Sequence, residues 1–280
     1  MRNSVVAAFE KPEKPFNRLL LTGAAGGLGR VLRPRLQTLC TVLRVSDIAE
    51  LDVAGDGEEA VQAALQDKAE VRELLRGVDA VVHLGGISTE HAFEAILQAN
   101  IVGTYHVFEA ARIHGVRRVV YASSNHVTGF HEQACTIDPQ AAMRPDGYYG
   151  LSKAYGECMA QFYWDRWGVE TVSLRIGSSF PEPLDRRMLA SWLSYDDLER
   201  LVRAALTAPQ VGHSVIYGVS DNPRSWWDNH SARHIGFRPL DSSEPFTEAV
   251  HARSPAPDPT TMAARFQGGG FVTKGPFKDG

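Results

Sequence analysis

Short apolar runs alternate along the chain with longer segments in which apolar residues recur every three to four positions. The short runs are apolar at consecutive positions, which is typical of strands that helices cover on both faces. Strands are predicted at residues 18–22, 42–45, 80–84, 118–122, 171–176 and 214–217, and helices at 27–37, 67–76, 92–114 and 148–167. This alternation predicts an α/β fold, a doubly wound parallel sheet of the Rossmann type.

The strand–helix pattern weakens after Gly177. Pro181 and Pro183 interrupt the chain, and a short helix is predicted to begin at Ser194, whose hydroxyl can cap it. We therefore expect one main domain followed by a smaller lobe on the substrate side. The predicted parts are an N-terminal extension over 1–17, a Rossmann domain over 18–177, and a C-terminal substrate-binding lobe with an extension over 178–280.

A glycine-rich loop follows the first predicted strand, with Gly23, Gly26 and Gly29 between Thr22 and the first helix. The first glycine permits a tight turn, the second lets the backbone approach a pyrophosphate, and the third lets the helix pack close to the strand. The amide groups at the start of that helix then point at the phosphates. The loop predicts a dinucleotide site.

An acidic residue, Asp47, ends the second predicted strand. A carboxylate at this distance from the glycines accepts hydrogen bonds from the ribose hydroxyls and repels a 2′-phosphate. No arginine follows directly, because the next residues are Ile48, Ala49 and Glu50. The sequence therefore favours NAD over NADP.

Tyr149 and Lys153 lie four residues apart on a predicted helix, so both side chains lie on one face. A tyrosine hydroxyl is a poor base at neutral pH, and a nearby ammonium group is expected to lower its pKa. The pair can then take a proton from an alcohol while hydride leaves the carbon. Ser124, just past the fourth predicted strand, is placed to bind the reacting oxygen, and Gly85, Gly86 and Ser88 follow the third.

Composition narrows the function further. The net charge of −4 gives no broad basic field for nucleic acid, and the apolar runs are too short to span a bilayer. The three cysteines form no metal-binding pattern, so a reducing cytoplasm is the simplest setting. His230 and His234 lack a third metal ligand and indicate a solvated helix face, while Trp226 and Trp227 are interpreted as packing residues rather than a sugar platform.

Taken together, these motifs resemble the extended short-chain dehydrogenase/reductase superfamily. Several stretches resemble the bacterial uronate dehydrogenases more narrowly, namely residues 83–88, 122–126, 175–178, 225–229 and 265–269. The resemblance implies NAD-dependent oxidation of C1 of cyclic galacturonate or glucuronate to an aldarolactone. It also implies a homo-oligomer. The apolar residues of the helix over 92–114 fit either packing against a second copy or the core of a single chain.

The resemblance assigns roles to individual residues. It implies Tyr149 as the base, Lys153 as its electrostatic partner, and Arg187 as the clamp for the C6 carboxylate, with Arg186 as the alternative. The implied catalytic residues are Tyr149, Lys153 and Ser124. The implied substrate contacts are Ser88, Ser124, Asn125, His126, Tyr149, Ser178 and Arg187. The implied cofactor contacts are Gly23, Gly26, Gly27, Leu28, Gly29, Asp47, Ile48, Leu65, Leu84, Gly85, Gly86, Asn100, Ser123, Tyr149, Lys153 and Ile176.

The sequence differs from that of related enzymes in the part of the predicted cofactor site that would contact the adenine ring. Related enzymes often place an Asp-Leu pair there, and this chain has Ala64 and Leu65. Either the adenine amine loses a side-chain acceptor or Asp67 replaces it. Two other functions stay open at this point: a nucleotide-sugar epimerase or dehydratase, and a non-catalytic NAD-sensing protein.

Overall fold

Seven parallel strands form the central sheet of the computed structural model, which describes residues 14–275 and 277. In space the strands follow the order β3-β2-β1-β4-β5-β6-β9. They are β1 (Phe16–Thr22), β2 (Cys40–Asp47), β3 (Glu58–Gln62), β4 (Ala80–His83), β5 (Arg118–Ser124), β6 (Glu170–Ile176) and β9 (His213–Gly218), while the short β7 (Ser178–Ser179) and β8 (Trp192–Leu193) pair with each other. The predicted doubly wound sheet is confirmed.

Helices connect the strands and cover both faces of the sheet. They are α1 (Gly27–Leu36), α2 (Lys68–Leu74), α3 (Phe93–Ile96), α4 (Gly103–His114), α5 (Tyr148–Trp167), α6 (Met188–Ser191), α7 (Tyr195–Thr207), α8 (Thr247–Arg253) and α9 (Met262–Arg265). Among the described residues, no helix is both long enough and apolar enough to cross a membrane.

The direction of winding changes at β1, which pairs with β2 on one side and with β4 on the other. The loops after β1 and β4 therefore diverge and leave a crevice at the carboxyl edge of the sheet. In open α/β sheets this crevice is where ligands bind.

Two apolar layers sandwich the sheet. Leu19 and Leu21 of β1 pack into the layer beneath α1 and α7, whereas Leu20 belongs to the opposite layer, which also contains Val107 and Tyr163. Each leucine is completely buried, and burying such a side chain contributes about 1.5–3 kcal/mol. The unbroken apolar run in β1 is thus explained by burial on both faces.

The edge strand β3 was not predicted, because its sequence is Glu-Glu-Ala-Val-Gln. It is the edge strand of the sheet and pairs only with β2, so no second strand lies along its outer edge and an apolar sequence is not required there. Its glutamates form ion pairs with arginines instead: Glu58 with Arg33 at 2.7 Å and Glu59 with Arg44 at 2.7 Å.

The helix predicted over 92–114 is not uniform. A π-helical segment, Leu97–Val102, separates α3 from α4. Such segments often occur at functional sites because the additional residue redirects side chains. Here the segment contains Asn100.

The predicted division into parts is adjusted at both ends. β1 begins at Phe16, so residues 16 and 17 belong to the sheet, while residues 1–13 of the predicted extension lie outside the described residues. The chain beyond residue 177 still contributes β9 to the sheet and α7 to the helical layer that packs on it, so this part is not separate from the main domain. The predicted helix start is confirmed, since the Ser194 hydroxyl accepts a hydrogen bond from the amide of Asp197 at 2.9 Å.

Candidate active site

A cleft of about 1210 Å³ opens at the carboxyl edge of the sheet. Its lining includes every residue that the sequence analysis assigned to the site, with the exception of Asn100. The Asn100 amide instead holds the loop after β4: it accepts from the Ile87 amide at 2.8 Å and donates to the Ile87 carbonyl at 3.0 Å. Asn100 thus supports the cleft wall, and its contact with a cofactor stays a prediction.

The glycine-rich loop has the geometry that a dinucleotide requires. Gly23 has a φ of +71°, and a Cβ there would lie 2.8 Å from the backbone of Gly85. A Cβ at Gly29 would collide with the Gly23 carbonyl oxygen, so the helix packs directly on the turn. A Cβ at Gly27 would meet nothing within 4 Å, because that position faces open space.

The start of α1 is free to bind an anion. Gly26 caps the helix without a side-chain hydrogen bond, so the amides of the first turn remain for a phosphate group. At the end of β2, the Asp47 carboxylate is fixed by two amides, those of Ala25 and Ala49, each at 3.0 Å. Asp47 also lines the cleft, so these residues fit a dinucleotide with an unphosphorylated ribose.

Asp67 does not replace the missing acceptor on the adenine side. Its carboxylate caps α2 by accepting from the amides of Ala69 at 2.8 Å and Glu70 at 3.0 Å, and it does not line the cleft. The cleft wall at this place is formed by Leu65 and Gln66. Gln66, which the sequence analysis did not single out, is the polar side chain there.

Tyr149 and Lys153 lie in the first turns of α5 and both line the cleft. The Lys153 Nζ lies 5.7 Å from the centroid of the Tyr149 ring. Burial lowers the pKa of Lys153 to about 8. Burial also raises the pKa of Tyr149 to about 12, although the Ser124 hydroxyl acts in the opposite direction. The expectation of a lowered tyrosine pKa is therefore wrong for the cleft as it stands.

The N-terminus of α5 is capped by a distant residue, Glu90. Its carboxylate accepts from the amide of Tyr148 at 2.7 Å and from the amide of Tyr149 at 2.9 Å. Glu90 follows the loop that contains Ser88, so one carboxylate joins the substrate side of the cleft to the backbone of Tyr149. The local sequence of α5 contains no sign of this cap, because 58 residues separate the partners.

Glu90→Gln is expected to lower the free energy of unfolding by about 1–2 kcal/mol, because one backbone amide of the helix loses its acceptor oxygen and the negative charge at the helix start is removed. The measurement is urea unfolding at neutral pH. Glu94→Gln is the matched control, since Glu94 is exposed on α3. Equal stability of both variants would contradict the capping role.

Arg187 extends into the opposite side of the cleft. Its Nε and Nη2 donate to the Gln267 carbonyl at 2.8 and 2.6 Å, and its Nη1 lies 3.4 Å from the Ser178 hydroxyl. With the Asn125 amide in its better orientation, the amide oxygen accepts from Nη2 at 2.9 Å. Burial lowers the pKa of Arg187, and among the described residues no carboxylate forms an ion pair with it. The side chain is a cation that meets only neutral oxygens.

Arg186 points away from the cleft, since its Nε donates to the Ser254 carbonyl at 2.8 Å and it is not part of the lining. The interpretation of the tryptophans as packing residues holds for Trp227, which stacks on Tyr217 with centroids 4.9 Å apart. The described residues contain no group of three side chains that could hold a metal ion, and His234 instead bonds the Ser214 hydroxyl at 2.8 Å.

The C-terminal segment completes the cleft. A short 3-10 helix, Gly269–Thr273, places Phe271 on the ring of His126 with centroids 3.8 Å apart. The Lys274 Nζ lies over the Phe271 ring, 3.8 Å from its centroid. Sequence reasoning missed Phe271 and Lys274, because the segment has no periodicity and the contact of Phe271 with His126 joins residues that are distant in sequence.

The glycine-rich loop, the uncapped helix start, Asp47 and the Tyr149/Lys153 pair in one cleft define a dinucleotide-dependent enzyme of the short-chain dehydrogenase/reductase class. The model of the NAD dependent epimerase/dehydratase family matches residues 19–215. The chain belongs to this family, in the branch that contains the uronate dehydrogenases.

Relatives in that branch are similar over nearly their whole length. The uronate dehydrogenase of Pseudomonas putida is 58% identical over 94% of this chain and 98% of its own. That of Pseudomonas syringae pv. tomato is 57% identical over 98% of this chain and 100% of its own. The crystal structure of uronate dehydrogenase from Agrobacterium tumefaciens, at 47% identity, covers 95% of this chain and 100% of its own with a TM-score of 0.92.

Proposed function

We propose that this protein oxidises C1 of the cyclic form of D-galacturonate or D-glucuronate to the aldarolactone, with NAD as the acceptor. The observation that carries the proposal is Arg187, a cation without a carboxylate partner among the described residues, in the same cleft as Tyr149. An arginine in this state suits a substrate that brings its own carboxylate. The similarity to uronate dehydrogenases over full length supports the same substrate class.

NAD is the cofactor, and the glycine-rich loop with Asp47 is the site proposed to hold it. The amides at the start of α1 bind the pyrophosphate, and the Asp47 carboxylate accepts from the ribose hydroxyls. A 2′-phosphate would meet that carboxylate as a like charge, so NADP is disfavoured. When bound, NAD supplies a nicotinamide ring that accepts the hydride.

Tyr149 acts as the general base in this proposal. Its phenolate oxygen takes the proton of the C1 hydroxyl while C1 loses hydride, and the Ser124 hydroxyl hydrogen-bonds the same substrate oxygen. C1 of a pyranose already carries the ring oxygen, so the new carbonyl is a lactone. Lys153 contributes its positive charge, which favours the phenolate over the neutral phenol.

Arg187 fixes the orientation of the sugar in this proposal. Its Nε and Nη2 edge is used by the Gln267 carbonyl, while the outer Nη1 and Nη2 edge meets the Ser178 hydroxyl and the Asn125 amide oxygen. In this proposal the C6 carboxylate takes the place of these two neutral acceptors on the outer edge. Two parallel hydrogen bonds from a planar fork define both the distance and the direction of the substrate. C1 is then directed toward Tyr149 at the other end of the ring.

The Tyr149/Lys153 pair predicts a pH dependence with a defined sign. The two groups share their protons: the pair must lose one, and the proton that remains must lie on Lys153 so that Tyr149 is the phenolate. The first proton is expected to leave the pair near pH 8, where burial places the pKa of Lys153. The value of kcat should therefore rise with pH through about 8. Lys153→Met should move this rise toward the pKa of Tyr149, about 12, and lower kcat at pH 7 by about 100-fold or more.

The measurement is the pH profile of kcat from pH 6 to about 10. Lys68→Met, on the exposed start of α2, is the matched control and should keep the wild-type profile. An unchanged profile in Lys153→Met would contradict the role of the lysine.

Product analysis tests the reaction itself. Galacturonate labelled with carbon-13 at C1 is incubated with the protein and excess NAD, and the carbon signals are followed over time. A lactone carbonyl that appears together with one equivalent of NADH supports the proposal. A C4 epimer without NADH would instead indicate an epimerase, and an unchanged substrate would indicate that the cleft does not oxidise uronates.

The cytoplasm and a homo-oligomeric state are part of the same proposal. The cysteines Cys40, Cys135 and Cys158 are all free thiols, which suits a reducing compartment. Helices α4 and α5 expose large apolar side chains, among them Ile113 and Phe162, that a second copy can cover. Sedimentation velocity with Phe162→Asp tests the oligomer, which this charge should dissociate.

A further inference from the structure

Asp146 is a buried acid in the loop before α5, and it contacts His126 twice. Its Oδ2 lies 2.7 Å from the His126 Nδ1, and its backbone amide donates to the His126 carbonyl at 3.3 Å. The aspartate side chain is completely buried, and its Oδ1 has no hydrogen-bond partner among the described residues. Because an ionised carboxylate can only accept, the proton of this bond belongs to Nδ1 of the histidine.

Three glycines from separate segments form the space around this carboxylate. A Cβ at Gly129 or Gly268 would collide with the Asp146 Oδ2, and a Cβ at Gly150 would lie 3.1 Å from its Oδ1. The Gly268 amide also donates to the Gly129 carbonyl at 2.8 Å, which closes the C-terminal segment over the acid. The space therefore fits a carboxylate with the reach of aspartate and excludes a longer side chain.

The His126 ring is held in one orientation. Phe271 stacks on one face at 3.8 Å between centroids with planes 22° apart, and the Tyr149 ring approaches at 5.8 Å with planes 64° apart. With Nδ1 bound to Asp146, the opposite nitrogen, Nε2, is the polar atom that this cleft-lining residue offers to a ligand.

The surroundings of His126 favour its neutral form. Burial lowers its pKa, and the cations of Arg187 and Lys274 act in the same direction, while Asp146 opposes them. A neutral ring with its proton on Nδ1 has a lone pair on Nε2. That atom then accepts hydrogen bonds and cannot donate them.

We propose that Asp146 is a positioning residue that fixes His126 as the neutral Nδ1–H tautomer, so that its Nε2 accepts a hydrogen bond from a hydroxyl group of the sugar. The substrate part of this inference rests on the proposed function, and the tautomer part does not. A polar site of this kind rejects analogues that lack the hydroxyl, because the buried acceptor would be left without a donor.

The first test needs no substitution in Asp146. Protein labelled with nitrogen-15 in its histidines is studied by long-range NMR correlation at pH 7, with NAD present, and His126→Gln identifies the signals of the ring. The proposal expects a protonated Nδ1 and an unprotonated Nε2. A proton on Nε2, in either the neutral or the charged ring, would overturn it.

The second test is Asp146→Asn, which keeps the shape and removes the charge. The new side-chain amide can donate a hydrogen bond to Nδ1, so the ring proton moves to Nε2. Nε2 then carries a proton and can no longer accept a hydrogen bond from the sugar hydroxyl. We expect the KM for galacturonate to rise by about 10-fold or more, with kcat changed by less than about 3-fold, as for loss of one hydrogen bond to substrate. Asp165→Asn, exposed on α5, is the matched control.

The outcomes separate the two claims. An unchanged KM in folded Asp146→Asn would overturn the positioning role. If Asp146→Asn does not fold, the NMR result on the wild-type protein decides between the tautomers. If no uronate is oxidised but Nδ1 alone carries the proton, the proposed function fails and the tautomer assignment stands.

Discussion

Tyr149→Phe is expected to lower kcat by roughly 100- to 10,000-fold, the range that one general base contributes. The substitution removes only the hydroxyl, so the ring still packs against His126 and the helix start stays capped by Glu90. NAD binding should remain within about 2-fold of the wild type, because the glycine-rich loop and Asp47 are unchanged. The measurement combines steady-state kinetics with NAD titration by protein fluorescence.

Tyr148→Phe is the matched control for this substitution. Tyr148 is the preceding residue on the same helix, is exposed, and does not line the cleft. It should keep the wild-type kcat. Wild-type turnover in Tyr149→Phe would show that another group removes the C1 proton.

Arg187→Ala is expected to raise the KM for galacturonate by about 100-fold. Two charge-assisted hydrogen bonds to the carboxylate contribute about 3 kcal/mol together, and about 1.4 kcal/mol corresponds to tenfold in affinity. Arg187→Lys should give an intermediate KM, because the charge remains and the planar fork is lost. A thermal melt of each variant checks that the contact with Gln267 is not needed for folding.

Arg186→Ala separates this role from a general loss of positive charge. Arg186 donates to a backbone carbonyl outside the cleft, so its removal should leave the KM unchanged. A normal KM in Arg187→Ala together with a raised KM in Arg186→Ala would move the carboxylate site to the neighbouring arginine.

The fold was predictable from sequence where burial imposes a local pattern. The strand around Leu20 is buried on both faces and therefore appears as an unbroken apolar run. The edge strand β3 is satisfied by ion pairs with Arg33 and Arg44, so its sequence resembles a polar loop. The π-helical segment around Asn100 preserves helical periodicity on both sides and leaves no signal in the pattern.

Residues of the site were predictable where a motif contains them. The glycine-rich loop and the Tyr149/Lys153 pair are local patterns, and the structure brings them together in one cleft. Glu90, Asp146 and Phe271 act through partners that are distant in the chain. An acid, a loop aspartate and a single aromatic residue are common in any sequence, so only their positions in the folded chain reveal what they contact.

The measurement that tests the account most directly is the absorbance of NADH after the purified protein is mixed with NAD and one sugar at a time. The sugars are galacturonate, glucuronate, galactose and glucose, which differ in pairs only at C6. The account predicts rapid NADH formation with the two uronates and little with the two neutral sugars. Equal rates with the neutral sugars would contradict the role of Arg187, and no NADH from any of the four would contradict the proposed reaction.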